Sequence, residues 1–100
     1  MAKGYWIAQV DVTDQGPYKD YSAALDCSLV KYGGRFLVRG GRSEAVEGKP
    51  RSRHVVIEFP SFQQALDCWS SPEYRAALEI RAPVTSADIV VIEGYEGAQP

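Results

Sequence analysis

The chain has 100 residues, of which 45% are hydrophobic and 24% charged, and its formal net charge is -2. The length predicts one domain, and the composition is that of a folded globular protein rather than a disordered one. No basic cluster resembles a nucleic-acid surface, and no apolar run approaches the roughly 20 residues of a membrane span. We therefore expect neither nucleic acid nor a membrane as a partner.

The first part of the chain predicts a strand, a helix and a second strand. Tyr5–Val12 is rich in aromatic and β-branched residues, as strands are. Pro17 suits the first position of a helix, where its missing N–H would have no partner. An apolar stripe with helical spacing follows at Tyr18, Tyr21, Leu25, Leu29 and Tyr32. Gly33 is expected to end the helix in the left-handed conformation, and Arg35–Arg39 forms the second strand.

A polar loop is expected to join the second strand to the third. Gly40 and Gly41 end the second strand, residues 43–53 form the loop, and His54–Phe59 is the third strand. Four basic residues cluster in and around this loop: Arg42, Lys49, Arg51 and Arg53. Because no GKS or GKT sequence follows the glycines, a solvated hairpin tip is favoured over a phosphate-binding loop.

Two helical segments and a last strand complete the chain. The residues Ser61–Gln64 match a capping box, in which each of the two end side chains satisfies a backbone donor of the other, so a helix is predicted over 61–69. The dipeptide Ser71-Pro72 interrupts this helix and starts a second one, which continues to about residue 80. The last strand is predicted over residues 88–93.

The order strand, helix, strand, strand, helix, strand is that of the split βαβ, ferredoxin-like α+β fold. A four-stranded antiparallel sheet is expected, with the first and third strands central and the helices on one face, because the crossovers are right-handed. No repeat or linker divides the chain, so residues 1–100 are predicted to form a single domain with a frayed tail from about residue 95.

Alternation along the strands assigns their residues to two faces of the sheet. One face is wholly apolar and consists of Trp6, Ala8, Val10, Val12, Phe36, Val38, Val55, Ile57 and Phe59. The other is mixed and consists of Tyr5, Ile7, Gln9, Asp11, Arg35, Leu37, Arg39, His54, Val56 and Glu58. The first face should pack under the helices. The second is too apolar for plain solvent surface, so a second copy of the chain is expected to cover it as a homodimer.

Four stretches carry a resemblance to a known family: Gly4–Ile7, Tyr32–Gly41, Ile57–Ser61, and Trp69 with Ser71–Tyr74. Together they span residues 4 to about 94 and resemble domain-of-unknown-function family 1330, a group within the dimeric α/β-barrel superfamily. The resemblance implies a ferredoxin-like subunit and a homodimer, and no established activity. The superfamily includes cofactor-free monooxygenases, isomerases, haem enzymes and ligand-binding modules, so function has to be argued from the site.

Four polar residues on the mixed face are the first candidates for a site: Asp11, Arg39, His54 and Glu58. A carboxylate or the imidazole could act as a general base if partial burial moved its pKa toward neutrality. The alternative is that these residues pair with one another and fix the register of the dimer. His54, the single histidine, begins a strand beside a polar loop, where an exposed histidine is the more common case.

Four aromatic residues on the helices are the second candidates: Tyr18, Tyr21, Trp69 and Tyr74. They could line a pocket between helices and sheet, which is where the superfamily resemblance places a site. The alternative is ordinary core and dimer packing. One histidine and two distant cysteines give no familiar set of metal ligands, so neither a metal nor another cofactor is expected.

Cys27 and Cys68 both fall in helical patterns and form no CxxC pair. Buried or partly buried free thiols in a reducing cytoplasm are expected, and a bond between neighbouring helices is the alternative. The first residues contain no apolar signal segment, which favours the same location.

Two hypotheses of function follow. The first is a small homodimeric, cofactor-independent enzyme that performs proton transfer or oxygenation on a small organic molecule. The second is a non-catalytic dimeric ligand-binding or stress-associated module.

Overall fold

The computed structural model describes residues 2–100. Its elements are β1 (Gly4–Val12), α1 (Gln15–Tyr32), β2 (Arg35–Arg39), β3 (Arg53–Phe59), α2 (Phe62–Trp69), α3 (Pro72–Arg81), a 3-10 turn (Ala82–Val84) and β4 (Thr85–Glu93). The strands form one antiparallel sheet in the order β2-β3-β1-β4. The predicted ferredoxin-like topology with β1 and β3 in the centre is confirmed.

The helix ends follow the predicted signals with one shift. Gly33 ends α1 in the left-handed conformation, at a φ of 73°, as predicted. The helix begins at Gln15 rather than at Pro17, because the Asp14 side chain already accepts a hydrogen bond from the backbone N–H of Gly16. Ser71 caps α3 as predicted, and its hydroxyl accepts from the Tyr74 N–H.

Only one of the two hydrogen bonds of the predicted capping box forms at the start of α2. The Ser61 hydroxyl accepts from the Gln64 N–H at 3.1 Å. The Gln64 side chain does not return to Ser61, since its amide donates to the carbonyl of Tyr32 at 3.2 Å. That hydrogen bond ties the beginning of α2 to the end of α1.

The helices cover the apolar face of the sheet, as predicted. The core consists of Trp6, Val10, Tyr18, Tyr21, Leu25, Leu29, Val55, Ile57, Phe59, Ala65, Cys68, Tyr74 and Ala77. Trp6 lies at its centre: its indole donates to the Ala65 carbonyl at 2.9 Å, and its ring contacts those of Phe59, Trp69 and Tyr74. Aromatic contacts therefore connect the layer of helices to the sheet.

A β-bulge in β2 changes the predicted faces of two residues. The register to β3 shifts between Phe36 and Val38, so that Leu37 is the additional residue. Val38 lies opposite Val56, on the face away from the helices, where 42% of it is exposed. The prediction that Val38 packs under the helices was wrong, because strict alternation does not survive a bulge.

Two smaller expectations are also corrected. The last strand begins at Thr85 rather than at residue 88. Both cysteines are free, but only Cys68 is buried, whereas Cys27 is exposed. Within residues 2–100, no helix is long and apolar enough to cross a membrane.

Candidate functional site

The polar residues predicted to share the mixed face do not form one cluster. Arg39 lies on the helix side, because the bulge places it opposite Val55. Its guanidinium donates to Asp26 of α1 at 2.9 Å and stacks 3.9 Å above the Phe36 ring. The prediction that Arg39 shares a face with Asp11 was therefore wrong.

Asp11 and Glu58 do share the open face of the sheet, the face without helices, but they lie at opposite ends of it. Glu58 pairs with Tyr5 at the start of β1, whereas Asp11 lies six residues further along that strand. Six strand residues span about 20 Å, so the two carboxylates cannot act on one small molecule. His54 lies between them, opposite Gln9.

At one end of the open face, both carboxylate oxygens of Glu58 accept hydrogen bonds. The Tyr5 hydroxyl donates to Glu58 Oε2 at 3.1 Å, and Arg35 Nε donates to Oε1 at 3.0 Å. The hydrogen bond from Tyr5, followed by the Arg35 guanidinium, holds the pKa of Glu58 below its ordinary value.

At the Asp11 end, the carboxylate binds the segment that leads into β3. The Ser52 backbone N–H and hydroxyl donate to Asp11 Oδ1, and Arg51 donates to Oδ2 at 3.0 Å. These hydrogen bonds, of which the Ser52 backbone bond is the largest influence, lower the pKa of Asp11. Arg51 also donates to Asp88 of β4 at 2.8 Å. Arg51 is therefore paired rather than part of a solvated tip.

These pairings decide the chemistry of the open face. Both carboxylates are held ionised and hydrogen-bonded, and their pKa values move away from neutrality rather than toward it. A general base working near pH 7 needs the opposite shift. The arrangement at this face is that of paired structural charges.

The aromatic candidates, in contrast, do come together. The hydroxyls of Tyr21 and Tyr74 lie 3.1 Å apart in the core. The Tyr18 ring lies 5.5 Å from the Tyr21 ring, and the Trp69 ring lies 5.0 Å from the Tyr74 ring. Arg53 of β3 donates to the Tyr18 hydroxyl at 3.1 Å. The four predicted residues thus form one row between the helices and the sheet.

Two cavities adjoin this row. The inner one, of about 20 Å³, lies between the helices and the sheet and is lined by Tyr18, Tyr21 and Tyr74 among others. It has room for about one water molecule. The outer one is an open cleft of about 320 Å³ along β4, lined by Trp69, Arg81, Ala82, Thr85, Ala87 and Ile89. Arg81 and Ile89 line both cavities.

Arg81, at the end of α3, is the functional candidate that the sequence analysis missed. Only 6% of it is exposed. Its guanidinium lies 5.6 Å from the centre of the Tyr21 ring, and one terminal nitrogen donates to the Thr85 hydroxyl at 3.1 Å. Its buried Nε has no hydrogen-bond partner within residues 2–100.

A signal for Arg81 was present in the sequence. The buried residues of α3 are Tyr74, Ala77 and Arg81, at positions i, i+3 and i+7 of one helical stripe. An arginine at the end of an apolar stripe usually extends its charge into water. Only the β4 strand, which continues from the 3-10 turn beside it, shows that this guanidinium is covered.

Burial also fixes the protonation of Tyr21. Removal from water, followed by the neighbouring Tyr74 hydroxyl, raises the pKa of Tyr21 well above its ordinary value, although the Arg81 charge acts in the opposite direction. Tyr21 is therefore a neutral hydrogen-bond donor at physiological pH rather than a base. Burial likewise raises the pKa of the Cys68 thiol to about 11, which leaves it protonated and unreactive.

The lining of the two cavities limits what they can do. It offers aromatic and aliphatic walls, tyrosine and threonine hydroxyls, and one guanidinium, but no carboxylate or imidazole among the described residues. No group of three or more His, Cys, Asp or Glu side chains that could hold a metal occurs within residues 2–100. The arrangement is suited to holding a small, partly apolar molecule and to stabilising negative charge on it.

Comparison with known proteins supports the fold and the family. Residues 3–95 match the family described as Domain of unknown function (DUF1330). No curated protein matches this chain.

Three solved structures show the same fold at low identity. A protein of unknown function from Rhodopseudomonas palustris has 14% identity and a TM-score of 0.77, over 96% of this chain and 85% of that one. SnoaB, a cofactor-independent oxygenase from Streptomyces nogalater, has 7% identity and a TM-score of 0.65, over 97% of each chain. A dimeric ferredoxin-like protein of unknown function from Thermobifida fusca has 19% identity and a TM-score of 0.54, over 92% and 91%.

Proposed function

This chain belongs to the DUF1330 family, and from that premise we propose that it forms a homodimer whose subunits each bind a small organic molecule between helices and sheet. The observation that carries the binding function is the row of four aromatic side chains beside an inner cavity and an open cleft, which share Arg81 and Ile89. Concave, largely apolar sites with a few convergent polar groups are typical of ligand pockets, which begin at about 300 Å³.

The homodimer is supported by the open face of the sheet. Val90 and Ile92 of β4 are 52% and 50% exposed there, and Leu37 and Val38 of β2 are also exposed. A group of exposed apolar side chains flanked by paired charges is typical of a protein interface. A fold relative that is itself dimeric points the same way.

Sedimentation equilibrium at micromolar concentration tests the homodimer. The wild-type protein is expected at twice the subunit mass of 11.0 kDa. Ile92→Asp places a charge in the proposed interface and is expected to give a folded monomer. Val30→Asp is the matched control, because Val30 lies on α1 and is 84% exposed. A wild-type monomer at this concentration would contradict the proposal.

Thermal stability with added small molecules tests the binding function. A panel of small aromatic acids and their neutral amides is expected to contain members that raise the Tm of the wild-type protein in a concentration-dependent way. Trp69→Ala should remove this stabilisation, because the Trp69 ring forms one wall of the cleft. If no member of the panel stabilises the protein, the binding proposal is wrong.

A second candidate function is cofactor-independent catalysis, either proton transfer or oxygenation of the bound molecule. The hydrogen-bonded Tyr21–Tyr74 pair favours it, since buried hydroxyls can donate hydrogen bonds to an oxygen anion that develops on a substrate. The described cavity lining offers no base, so a substrate would have to arrive already anionic. For this reason the geometry supports binding better than turnover. Oxygen uptake and product analysis with each stabilising ligand distinguish the two.

Two further expectations remain part of this proposal. Cytoplasmic location is supported by the free state of Cys27 and Cys68, since reduced thiols are usual in that compartment. A single domain over residues 1–100 is supported by the continuous core that joins β1, α1, β3, α2 and α3.

A further inference from the structure

The arginines of this molecule differ in burial and in their acidic partners. Three arginines with substantial exposure each have a carboxylate partner: Arg35 with Glu58 at 3.0 Å, Arg39 with Asp26 at 2.9 Å, and Arg51 with Asp88 at 2.8 Å and Asp11 at 3.0 Å. Arg81 is 94% buried, from its exposure of 6%, and forms no ion pair within residues 2–100. Arg53 and Arg75 also lack a carboxylate partner among the described residues, and Arg75 Nε is likewise without a hydrogen bond, but both side chains are partly exposed, whereas Arg81 is buried.

An unpaired buried charge is costly to a fold. Removing a guanidinium from water costs several kcal/mol unless hydrogen bonds and an opposite charge replace the lost hydration. Arg81 has one hydrogen bond to the Thr85 hydroxyl and a contact with the face of the Tyr21 ring. Its Nε has no partner among the described residues. A buried guanidinium with so few partners is suited to an anion supplied from outside the chain.

We propose that Arg81 is the anchor for the negatively charged group of the bound molecule, and that this ligand is a small monocarboxylate with an aromatic or otherwise apolar body. This inference rests on the proposed binding function and names its ligand class. Arginine is suited to the role because its planar donors match the geometry of a carboxylate.

The cleft supplies both halves of the recognition. Its polar end consists of the Arg81 guanidinium and the Thr85 hydroxyl, which is already hydrogen-bonded to Arg81 at 3.1 Å. Its walls are apolar and are formed by Trp69, Ala87 and Ile89. A carboxylate at the polar end places the body of the ligand against the indole of Trp69, where flat rings stack favourably.

The hydrogen-bonded pair of Tyr21 and Tyr74 extends the same preference toward the inner cavity. The Tyr21 ring lies beside the guanidinium, and its hydroxyl shares a hydrogen bond with Tyr74. A tyrosine hydroxyl can donate a hydrogen bond to an anion, and no carboxylate lines either cavity among the described residues. The whole site therefore favours negative charge.

Calorimetric titration with acid and amide pairs tests the anchor. The probes are benzoate against benzamide and phenylacetate against phenylacetamide, which differ in charge but hardly in shape. For the wild-type protein, at least one acid is expected to bind about tenfold or more tightly than its amide. Arg81→Met removes the charge and keeps most of the side-chain length, so the ratio should fall to about one. Arg42→Met is the matched control, because Arg42 is an exposed loop residue and the change in net charge is the same.

Stability gives a second readout that a merely structural arginine would not give. Arg81→Met is expected to unfold at the same or a higher urea concentration than the wild-type protein without ligand, because it removes an unpaired buried charge. If Arg81→Met does not fold, Arg81 is a structural residue and the anchor is wrong. Arg81→Lys keeps the charge and is expected to retain part of the preference for acids.

The outcomes separate this inference from the function on which it rests. Acids and amides that bind equally to the wild-type protein, or an acid preference that survives in Arg81→Met, would overturn the anchor and leave the binding pocket standing. If neither acids nor amides bind the wild-type protein, the proposed binding function falls together with its anchor.

Discussion

The two faces of the sheet are built from the same four strands and are completed in different ways. On the helix side, the chain covers its own residues: Trp6 and Tyr74 are 2% and 0% exposed in an aromatic core. On the open side, Val90 and Ile92 remain about half exposed. The subunit's own helices bury the first face. In our proposal, a second subunit covers the other face.

The two faces also treat charge differently. On the open face, Asp11 and Glu58 are hydrogen-bonded by neighbours, and this lowers the pKa of each. On the helix side, Arg81 is buried beside Tyr21 without an acidic partner in residues 2–100. In our proposal, the paired charges of the open face serve the register and assembly of the dimer, whereas the unpaired buried charge of Arg81 marks the binding site. The proposed function therefore lies on the helix side, away from the polar residues of the mixed face that were the first candidates.

The largest expected effect compares one large apolar side chain from each face. Trp6→Ala removes the centre of the core and its hydrogen bond to Ala65, so the free energy of unfolding should fall by about 3–5 kcal/mol. Ile92→Ala should cost about 1 kcal/mol or less within a subunit, because its side chain is half exposed there.

Urea denaturation at several protein concentrations distinguishes the two causes. The loss of stability in Trp6→Ala should be the same at every protein concentration, since it arises inside one subunit. The loss in Ile92→Ala should depend on concentration, because dimer formation contributes to its stability. If the loss of stability depended on protein concentration in the same way for both variants, the proposal that only the open face lies in a dimer interface would be contradicted.

An intermediate effect is expected from the buried tyrosine hydroxyls. Tyr21→Phe or Tyr74→Phe leaves one buried hydroxyl without its partner at 3.1 Å, at a cost of about 1–3 kcal/mol. The double variant should cost less than the sum of the two single ones, because no unpaired hydroxyl remains. A double-mutant cycle by urea denaturation measures this coupling. Additive losses would show that the hydroxyl pair does not act as a unit.

The smallest effect concerns acid pH and the open face. Because the pKa values of Asp11 and Glu58 are lowered in the folded protein, their stabilisation is present above their ordinary values of 3.8 and 4.5. This stabilisation should be lost as the pH falls through the lowered pKa values of the two carboxyl groups in the folded protein. Both carboxylates lie near solvent, so the effect is modest.

Urea midpoints measured from pH 6 down to pH 3 test this. The double variant Asp11→Asn, Glu58→Gln should be less stable than the wild-type protein at pH 6 and should show a shallower decline in acid. Glu44→Gln is the control, because Glu44 is an exposed loop residue outside the open face, and this variant should follow the wild-type protein. A wild-type slope in the double variant would contradict the assigned pairings.

Much of the fold was predictable because its signals are local. Gly33 ends α1 because it lacks the Cβ that opposes a φ of 73°. Ser71 and Pro72 start α3 because a hydroxyl cap and a missing N–H both suit a helix N-terminus. The aromatic row also followed from helical spacing, which places Tyr18 and Tyr21 on one stripe.

The candidate site was only partly predictable, because two of its determinants are not local. The bulge at Leu37 depends on how β2 meets β3, and it turns Arg39 from the open face to Asp26 on α1. The burial of Arg81 depends on β4, which continues from the turn beside it. Neither event changes the sequence pattern around the residue concerned.

The sequence by itself determined the order of elements, most of the helix ends and most of the apolar face of the sheet, because each of these follows from the spacing and chemistry of neighbouring residues. Only the tertiary structure decided which charges have partners. Whether a guanidinium finds a carboxylate depends on residues far apart in the chain, and for Arg81 among residues 2–100 none is in place.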